Sequence, residues 1–339
     1  MKSFEASHIS DKILWLSIIQ GWAILLVVIG HVNGFTYSGE PREMYWASDL
    51  LHRFCYSFHM PLFMFVSGAL LYYTRLSKGW KVIDLYKDKL KRLLLPYICF
   101  TVVGFLLKAP MAAFTKRGMD VSFQGFLNAL FDPANGPLAE LWFIGTLLWL
   151  MFMYPVYKIM LRSVWSEIIL LCVTLLPFIF GMNFNIHGWL NLGGITSFAF
   201  YFVAGMLFFK YNLIRFFERY IWLVIGVTAL YLVCFIFFPQ AKFFTALLGI
   251  LMSFGWGVRI VSVLNLFSSF RDHSFQIFLV GIFPQMFVEL VVWTRFHSQI
   301  TLFPFYLLSC LLAIYSGVLV SRLGSRIPCK YLRWAIGLK

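Results

Sequence analysis

Charged residues are scarce in this sequence. Asp, Glu, Lys and Arg together make up 12% of the 339 residues, whereas hydrophobic residues make up 61% and aromatic residues 20%. Soluble globular domains carry roughly 25% charged residues, so the composition excludes an ordinary soluble domain. Long apolar runs separate the charges instead, and they predict an all-α, polytopic membrane protein.

Cysteines are also few, and none is placed as a metal ligand would be. The sequence has no CxxC pair and no His/Cys cluster of metal-ligand spacing, so we expect packing roles for the cysteines and no metal cofactor. Pro-rich linkers, low-complexity tracts and internal repeats are absent as well. One membrane domain over residues 1–339 is therefore expected to carry the whole function. The six cysteines are Cys55, Cys99, Cys172, Cys234, Cys310 and Cys329.

Acidic residues number only 14 against 28 basic residues, which gives a net charge of +14. A nucleic-acid-binding protein concentrates such charge on a soluble face among aromatic side chains. Here the positive charge lies between apolar runs, a pattern typical of membrane topology. The sequence therefore argues against nucleic acid as a partner and for a lipid bilayer.

Ten apolar segments are each long enough to cross a hydrocarbon core of about 30 Å. If both termini are cytoplasmic, 21 of the 28 basic residues fall in inner segments, as the positive-inside rule requires. The first segment is longer than the core of a signal peptide, so we expect it to be retained. The predicted spans are 13–32, 54–73, 93–109, 141–157, 166–182, 193–210, 220–238, 243–258, 274–293 and 301–320.

Five largely apolar motifs follow one another along the chain. In order and spacing they resemble the acyltransferase-3 family of bacterial membrane O-acyltransferases. The resemblance implies a ten-span enzyme of the cytoplasmic (inner) membrane that takes an acyl group, usually acetyl, from a cytoplasmic acyl-CoA. It further implies that the acceptor is a hydroxyl of a cell-envelope or exported glycan, or of its lipid-linked precursor. The motifs are "GWAILLVVIGH" (21–31), "FHMPLFMFVSGALL" (58–71), "KRLLLPY" (91–97), "LWFIGTLL" (141–148) and "YFVAGMLFF" (201–209).

His31 matches the histidine to which the family's catalysis is ascribed. Imidazole titrates near neutral pH and suits a base that deprotonates a sugar hydroxyl. The alternative is an interfacial histidine bonded to water or to Asn33. The family's basic residue eleven positions earlier is Gln20 here, which we still place on the donor side, and its acidic residue three before that is Ser17. This joint loss either replaces a buried ion pair as a unit or marks lost activity.

His59 and Glu140 complete the predicted catalytic set. His59 begins the second span and is expected beside His31 if the first two helices pack antiparallel, where it would orient His31 or bind acceptor. Glu140 abuts the fourth span, either as an orienting acid or as a favourable charge in the first helical turn. Ser67 and Gly68 are interpreted as residues that permit close helix packing.

Donor binding is predicted at the basic run "KDKLKRLLLPY" (87–97). Lys89 and Arg92 keep the spacing of the family's RxxR element, and with Lys91 they offer cations to the phosphates of acyl-CoA. Two ordinary explanations compete with this one. Cytoplasmic loops are basic in any case, and Asp88 with Arg92 forms an i,i+4 pair on a helix surface.

Acceptor binding is predicted at Asp49, Trp142 and Glu289, since acidic residues near spans are rare in this chain. The connection 110–140 either covers the mouth of a cavity or is an ordinary surface loop. A further polar patch offers stacking and hydrogen bonds to a sugar, or is a solvated turn. It consists of Asn183, Asn185, His187, Trp189 and Asn191.

Two other functions fit an apolar helical bundle. A transporter or flippase for a lipid-linked or polar envelope precursor would use intramembrane polar residues as a pathway, although the sequence suggests neither an inverted repeat nor paired broken helices. A catalytically inactive scaffold is the third reading. Binding of acyl-CoA would separate the enzyme from both, and the chain acts either alone or as a homo-oligomer.

Overall fold

Helices form almost all of the regular structure. The computed structural model describes residues 2–32, 42–109, 120–182, 188–261 and 266–338, and none of these lies in a β-strand. The helices are α1 Lys2–His31, α2 Trp46–Leu76, α3 Val82–Lys108, α4 Phe123–Phe131, α5 Trp142–Phe152, α6 Tyr154–Met160, α7 Val164–Ile179, α8 Gly194–Lys210, α9 Ile214–Arg219, α10 Ile221–Phe237, α11 Lys242–Val261, α12 Ser274–Val280, α13 Ile282–Phe296, α14 Gln299–Ser325 and α15 Lys330–Ala335.

Each predicted span lies on one of these helices or on a bent pair of them. Within the described residues, six helical segments are long and apolar enough to cross a membrane, or eight if each bent pair is one span. Two shorter apolar helices, α7 and α10, occupy the remaining predicted spans. The all-α membrane class is confirmed, whereas the count of ten and the cytoplasmic termini stay predictions.

Two predicted spans correspond to helix pairs that bend at a short break, a feature that the sequence did not suggest. The helical segment Ala139–Phe152 meets α6 at 47°, and Arg271–Val280 meets α13 at 52°. Pro155 lies at the start of α6, and Gly281 separates α12 from α13. Proline removes a backbone donor and glycine weakens the helix, so both breaks have a local cause.

The first of two compact units contains residues 1–67 and 208–323. Its interior is aromatic: the ring of Phe254 on α11 lies 5.6 Å from that of Trp15 on α1 and 5.1 Å from that of Phe65 on α2. Lipid tails are as apolar as these side chains, so helices gain little by leaving lipid. Close packing holds the unit together, and each such aromatic pair contributes about 0.5–1.5 kcal/mol.

The second unit contains residues 68–207 and 324–339. Its tightest helix contact is at Gly68, where a Cβ atom would collide with the backbone carbonyl of Phe202. The packing role predicted for Gly68 is therefore confirmed. The hydroxyl of Tyr86 donates to the carbonyl of Phe152 at 2.8 Å, and that of Tyr154 donates to the carbonyl of Trp80 at 3.0 Å.

Many large apolar side chains point outward from these helices. Ile300 is 90% exposed, Trp222 79% and Phe303 75%. Apolar surface on this scale marks contact with another apolar phase. The apolar helices therefore fit a lipid bilayer, and the protein is integral to a membrane.

Cys329 gives a direct test of orientation. It is exposed just before α15, and the backbone N–H groups of Leu332 and Tyr331 bond to its sulfur, which lowers the pKa of the thiol below its ordinary value. A lower pKa leaves more thiolate at a given pH, so alkylation persists at a pH where an ordinary thiol reacts slowly. If the C-terminus is cytoplasmic, a membrane-impermeant maleimide labels inverted vesicles and spares intact cells.

The matched control is Cys329→Ser, which removes the label because the other cysteines lie in predicted spans or are buried. Labelling of intact cells that disappears in this variant would place the C-terminus on the outer side.

Candidate active site

His31 is the last residue of α1, and its ring is held by its own helix. Its Nδ1 lies 2.8 Å from the carbonyl oxygen of Val27, one turn earlier. A carbonyl can only accept, so Nδ1 carries the hydrogen, and in the neutral ring Nε2 keeps the lone pair. The side chain therefore presents a proton acceptor away from its helix.

Three side chains of α2 gather beside His31. The ring of Tyr56 lies 6.2 Å from that of His31, 4.1 Å from that of His52 and 4.7 Å from that of His59. Spacing of four and then three residues puts positions 52, 56 and 59 on one helix face. We call His31, His52, Tyr56 and His59 the histidine cluster. Sequence reasoning placed His59 here but missed His52 and Tyr56, although their helical spacing is visible in the sequence.

Close contact between α1 and α2 builds this cluster. A Cβ atom at Gly30 would lie 3.1 Å from the Cβ of Cys55, so only glycine allows this approach without a shift. His52 Nδ1–H donates to the carbonyl of Gly30 at 3.1 Å. His59 is buried, its Nδ1–H donates to the carbonyl of Cys55 at 2.7 Å, and its Nε2 has no hydrogen-bond partner among the described residues.

The end of α1 is fixed from the other side by α13 and α14. The last carbonyls of a helix lack partners within it. Here the Gln285 amide donates to the carbonyl of Val28 at 2.7 Å, and the Tyr306 hydroxyl donates to that of Val32 at 2.8 Å. His31 therefore stands on a helix end whose backbone is held by neighbouring side chains.

The two acidic residues predicted to bind acceptor in this unit have different surroundings. Glu289 is buried in α13 and lies close enough to Tyr306 to interact with it electrostatically. Asp49 forms an ion pair with Arg53 at 3.0 Å, one turn further along α2.

Two charged residues from a different segment of the chain contact α1 at Ser17 and Gly21. The Ser17 hydroxyl donates to Asp272 Oδ1 at 2.9 Å. A Cβ atom at Gly21 would lie 2.9 Å from the Cβ of Arg271, so Arg271 packs directly against α1. A carboxylate therefore bonds to a stretch of α1 that itself carries no charge. The Cβ of Arg271 packs beside it, while the guanidinium of Arg271 donates to the carbonyl of Leu266 at 2.9 Å.

In the second unit, Asp88 on α3 gathers three cations. Arg75 Nη2 lies 3.2 Å, Lys89 Nζ 3.9 Å and Arg92 Nη1 4.0 Å from its carboxylate oxygens. We call these four residues the Asp88 cluster, which carries two positive charges in excess. The guanidinium of Arg75 also lies 3.6 Å above the ring of Trp80.

Part of this arrangement was predicted and part was not. The i,i+4 pair of Asp88 and Arg92 is present, and Lys89 joins it. Arg75 was counted only toward topology, because nothing in the spacing shows that it folds back onto Asp88. Lys91 does not join them, and its Nζ lies 4.6 Å above the ring of Trp334.

Glu140 and Trp142 lie in the second unit, at the approach to α5. Glu140 is half-buried in a short helical turn, and α5 begins only at Trp142. The ring of Trp142 stacks on that of Phe198 at 5.3 Å with an interplanar angle of 26°. Of the other predicted site residues, Lys89, Lys91 and Arg92 share this unit, whereas Gln20, His31, Asp49, His59 and Glu289 belong to the first.

A left-handed turn precedes α8. Trp189, Leu190 and Asn191 have φ angles of 54°, 57° and 57°, which costs about 1–2 kcal/mol for each L-residue. Hydrogen bonds from α5 hold the turn: Trp149 Nε1–H donates to the carbonyl of Trp189 at 2.7 Å, and Asn191 Nδ2–H donates to Thr146 Oγ1 at 2.8 Å.

This geometry separates the members of the predicted polar patch. Asn191 is buried and fixes the turn, whereas Trp189 is 68% exposed. Asn183, Asn185 and His187 lie outside the described residues.

Membrane-length apolar helices define an integral membrane protein, and the oriented imidazole of His31 ends its first helix. Residues 13–322 match the family model of the acyltransferase domain, so the chain belongs to the acyltransferase-3 family. The resemblance carried by the five motifs is thereby confirmed, and the family supports a membrane acyltransferase. Comparisons with curated proteins and with solved structures gave no match.

The left-handed turn makes Thr146 a test of local stability. Thr146→Val leaves the buried Asn191 amide without its partner, and we expect a loss of about 1–3 kcal/mol in unfolding free energy. The measurement is the thermal unfolding midpoint in lipid nanodiscs. Thr174→Val is the control, since its hydroxyl bonds only to Leu171 of its own helix. Equal midpoints for the two variants would contradict the role given to Thr146.

Proposed function

We propose that this membrane acyltransferase moves an acetyl group from cytoplasmic acetyl-CoA to a hydroxyl of a cell-envelope or exported glycan, or of its lipid-linked precursor. We place it in the bacterial cytoplasmic membrane. The observation that carries the proposal is the tautomer of His31. Its Nδ1–H is committed to the carbonyl of Val27, so Nε2 is the ring atom that accepts a proton.

The reaction needs one proton acceptor that later becomes a donor. His31 Nε2 takes the proton of the sugar hydroxyl as its oxygen attacks the thioester carbonyl carbon. The new C–O bond forms, the C–S bond then breaks, and the departing thiolate of CoA takes the proton from the imidazolium. The products are the acyl ester and free CoA, and His31 returns to its neutral form.

Within the histidine cluster, His52 and Tyr56 act as positioning residues for His31. His52 ties α2 to the carbonyl of Gly30, and the ring of Tyr56 packs among the three imidazoles. A base held in one orientation reacts faster than a freely rotating one. His59 shares the tautomer of His31, and its buried Nε2 supports its assignment as a second catalytic imidazole.

The donor site we propose is the Asp88 cluster. Two excess positive charges and the planar guanidinium of Arg75 suit the phosphates of CoA. Beside α1, we assign to Asp272 and Arg271 the roles that the family motif gives to positions 17 and 20, and Gln20 remains a proposed donor contact. Glu140 remains a proposed catalytic acid, and Asp49, Trp142 and Glu289 remain proposed acceptor contacts.

Transport of an envelope precursor is the second candidate function. The two bent helix pairs favour it, because broken helices line substrate sites in many transporters. Such a protein would move its substrate without forming a new ester.

Mass spectrometry of envelope glycans separates the two functions. We expect an alkali-labile acetyl mass in cells that express the intact protein and none in cells with His31→Ala, at matched membrane levels. His297→Ala is the control, as this histidine lies outside the histidine cluster. If no acetyl difference appears and an envelope intermediate accumulates without the protein, transport replaces acyl transfer.

Arg75 tests the donor site. Arg75→Ala removes one charge-assisted contact, so we expect KM for acetyl-CoA to rise about tenfold or more with kcat little changed. Arg75→Lys keeps the charge but not the planar stacking on Trp80, and its KM should fall between those of the intact protein and Arg75→Ala. Lys87→Ala, which alters an exposed cation on α3, should match the intact protein. An unchanged KM in Arg75→Ala would remove the Asp88 cluster from the donor site.

A further inference from the structure

An open pocket of about 600 Å³ lies in the second unit. Its described lining residues include none of the Asp88 cluster. Its size is within the range of small-molecule sites and corresponds to about twenty waters at liquid density. We call it the Trp189 pocket. Its chemistry-bearing lining residues are Asp120, Asn128, Phe131, Asp132, Asn135 and Trp189.

Asp132 lines this pocket, and its two carboxylate oxygens differ in their surroundings. Asp132 Oδ2 accepts from Asn135 Nδ2 at 2.9 Å. Asp132 Oδ1 is buried and makes no hydrogen bond among the described residues. Oδ1 has almost no accessible surface, so a ligand in the pocket would meet Asp132 at Oδ2, which keeps a further lone pair to accept a ligand hydroxyl.

Two further polar groups point to a ligand rich in hydroxyls. The backbone N–H of Ser122 donates to Asp120 at 2.9 Å and lowers the pKa of this carboxyl, so Asp120 is an anionic acceptor. Asn128 Oδ1 accepts from Gln124 Nε2 at 3.1 Å, which leaves the Asn128 NH₂ group as a donor.

Aromatic rings supply the apolar part of the pocket. Trp189 is 68% exposed, and its ring lies edge to face with that of Phe131 at 6.2 Å. Its backbone is fixed in the left-handed turn by the bond from Trp149. The indole is therefore an exposed platform on a held backbone, and such platforms bind flat ligand faces at little entropic cost.

The lining residues also exclude other ligand classes. The described lining residues include two carboxylates and no basic residue, and Lys108 Nζ, which reaches the lining residue Pro137, donates to its carbonyl. The pocket therefore disfavours phosphates and other anions. Two carboxylates supply fewer oxygen ligands than Ca²⁺ requires. The lining residues fit a neutral molecule with many hydroxyls and an apolar C–H face, and a pyranose has both features.

We propose that the Trp189 pocket binds a pyranose ring of the acceptor glycan, stacked on Trp189, with its hydroxyls donating to Asp132 Oδ2 and Asp120. The inference rests on the proposed function for the statement that the glycan is the acceptor. Sugar binding itself is measurable without acyl transfer.

Saturation-transfer NMR on the full chain in lipid nanodiscs tests the pocket. The probes are the methyl glycosides of glucose, galactose, rhamnose and N-acetylglucosamine, with no acyl donor present. We expect ring protons of at least one probe to be saturated by the intact protein. Trp189→Ala and Asp132→Asn should each weaken binding about tenfold or more.

Matched controls are Trp165→Ala and Asp84→Asn, which alter an exposed tryptophan and an exposed aspartate outside the pocket. They should bind as the intact protein does. Equal thermal unfolding midpoints for Trp189→Ala and Trp165→Ala would show that the fold is kept.

Two results would overturn the inference: no saturation of any probe by the intact protein, or equal saturation in the pocket and control variants. The outcome is separable from the fate of the proposed function. Glycoside binding that depends on Trp189, in a protein that forms no acetyl ester, would refute acyl transfer and leave the pocket. Acetyl transfer with an unchanged KM for the glycan in Trp189→Ala would support the proposed function and refute the pocket as the acceptor site.

Discussion

The structure depends on one recurring hydrogen bond, from a polar side chain to the carbonyl four residues earlier on its own helix. Hydrocarbon offers no other partner, so a polar group enters an apolar helix only if the protein satisfies it. Thr101 bonds to Tyr97 and Ser253 to Gly249 in this way, at 2.8 and 2.7 Å. A hydroxyl bonded in this way has used its only hydrogen. An imidazole such as that of His31 has two ring nitrogens, and only Nδ1 is used here, so Nε2 keeps its lone pair.

Carboxylates are fewer than basic residues in this chain, and their ion pairs fix the positions of several cations. Asp88 gathers three of them into one cluster, and Asp49 holds Arg53 on the surface of α2. In a chain with 28 basic residues and 14 acidic ones, the Asp88 cluster keeps a positive excess after pairing, whereas the Asp49–Arg53 pair is neutral. An anionic ligand can therefore bind without displacing a protein ion pair, which lowers its desolvation cost.

Local signals in the sequence were sufficient for the helices and for part of the site. Span length and charge alternation depend on neighbouring residues, and each predicted span lies on a helix or bent pair. The bends were missed, since proline and glycine are tolerated in membrane helices when surrounding groups compensate. His59 was placed beside His31 from helix order alone. The contact of Ser17 with Asp272 joins residues 255 positions apart, and no spacing rule reaches that far.

That contact makes positions 17 and 272 interdependent. An acidic residue introduced at position 17 would face the Asp272 carboxylate, and two carboxylates at hydrogen-bond distance repel each other or share a proton. Only one of the two positions, 17 or 272, can therefore carry a carboxylate without this repulsion. A search that requires it on the first helix would discard this chain as inactive, although a carboxylate reaches the same place from another part of the polypeptide. Because the residues at positions 17 and 272 depend on each other, the charge that a family motif places at one position can be supplied from another position.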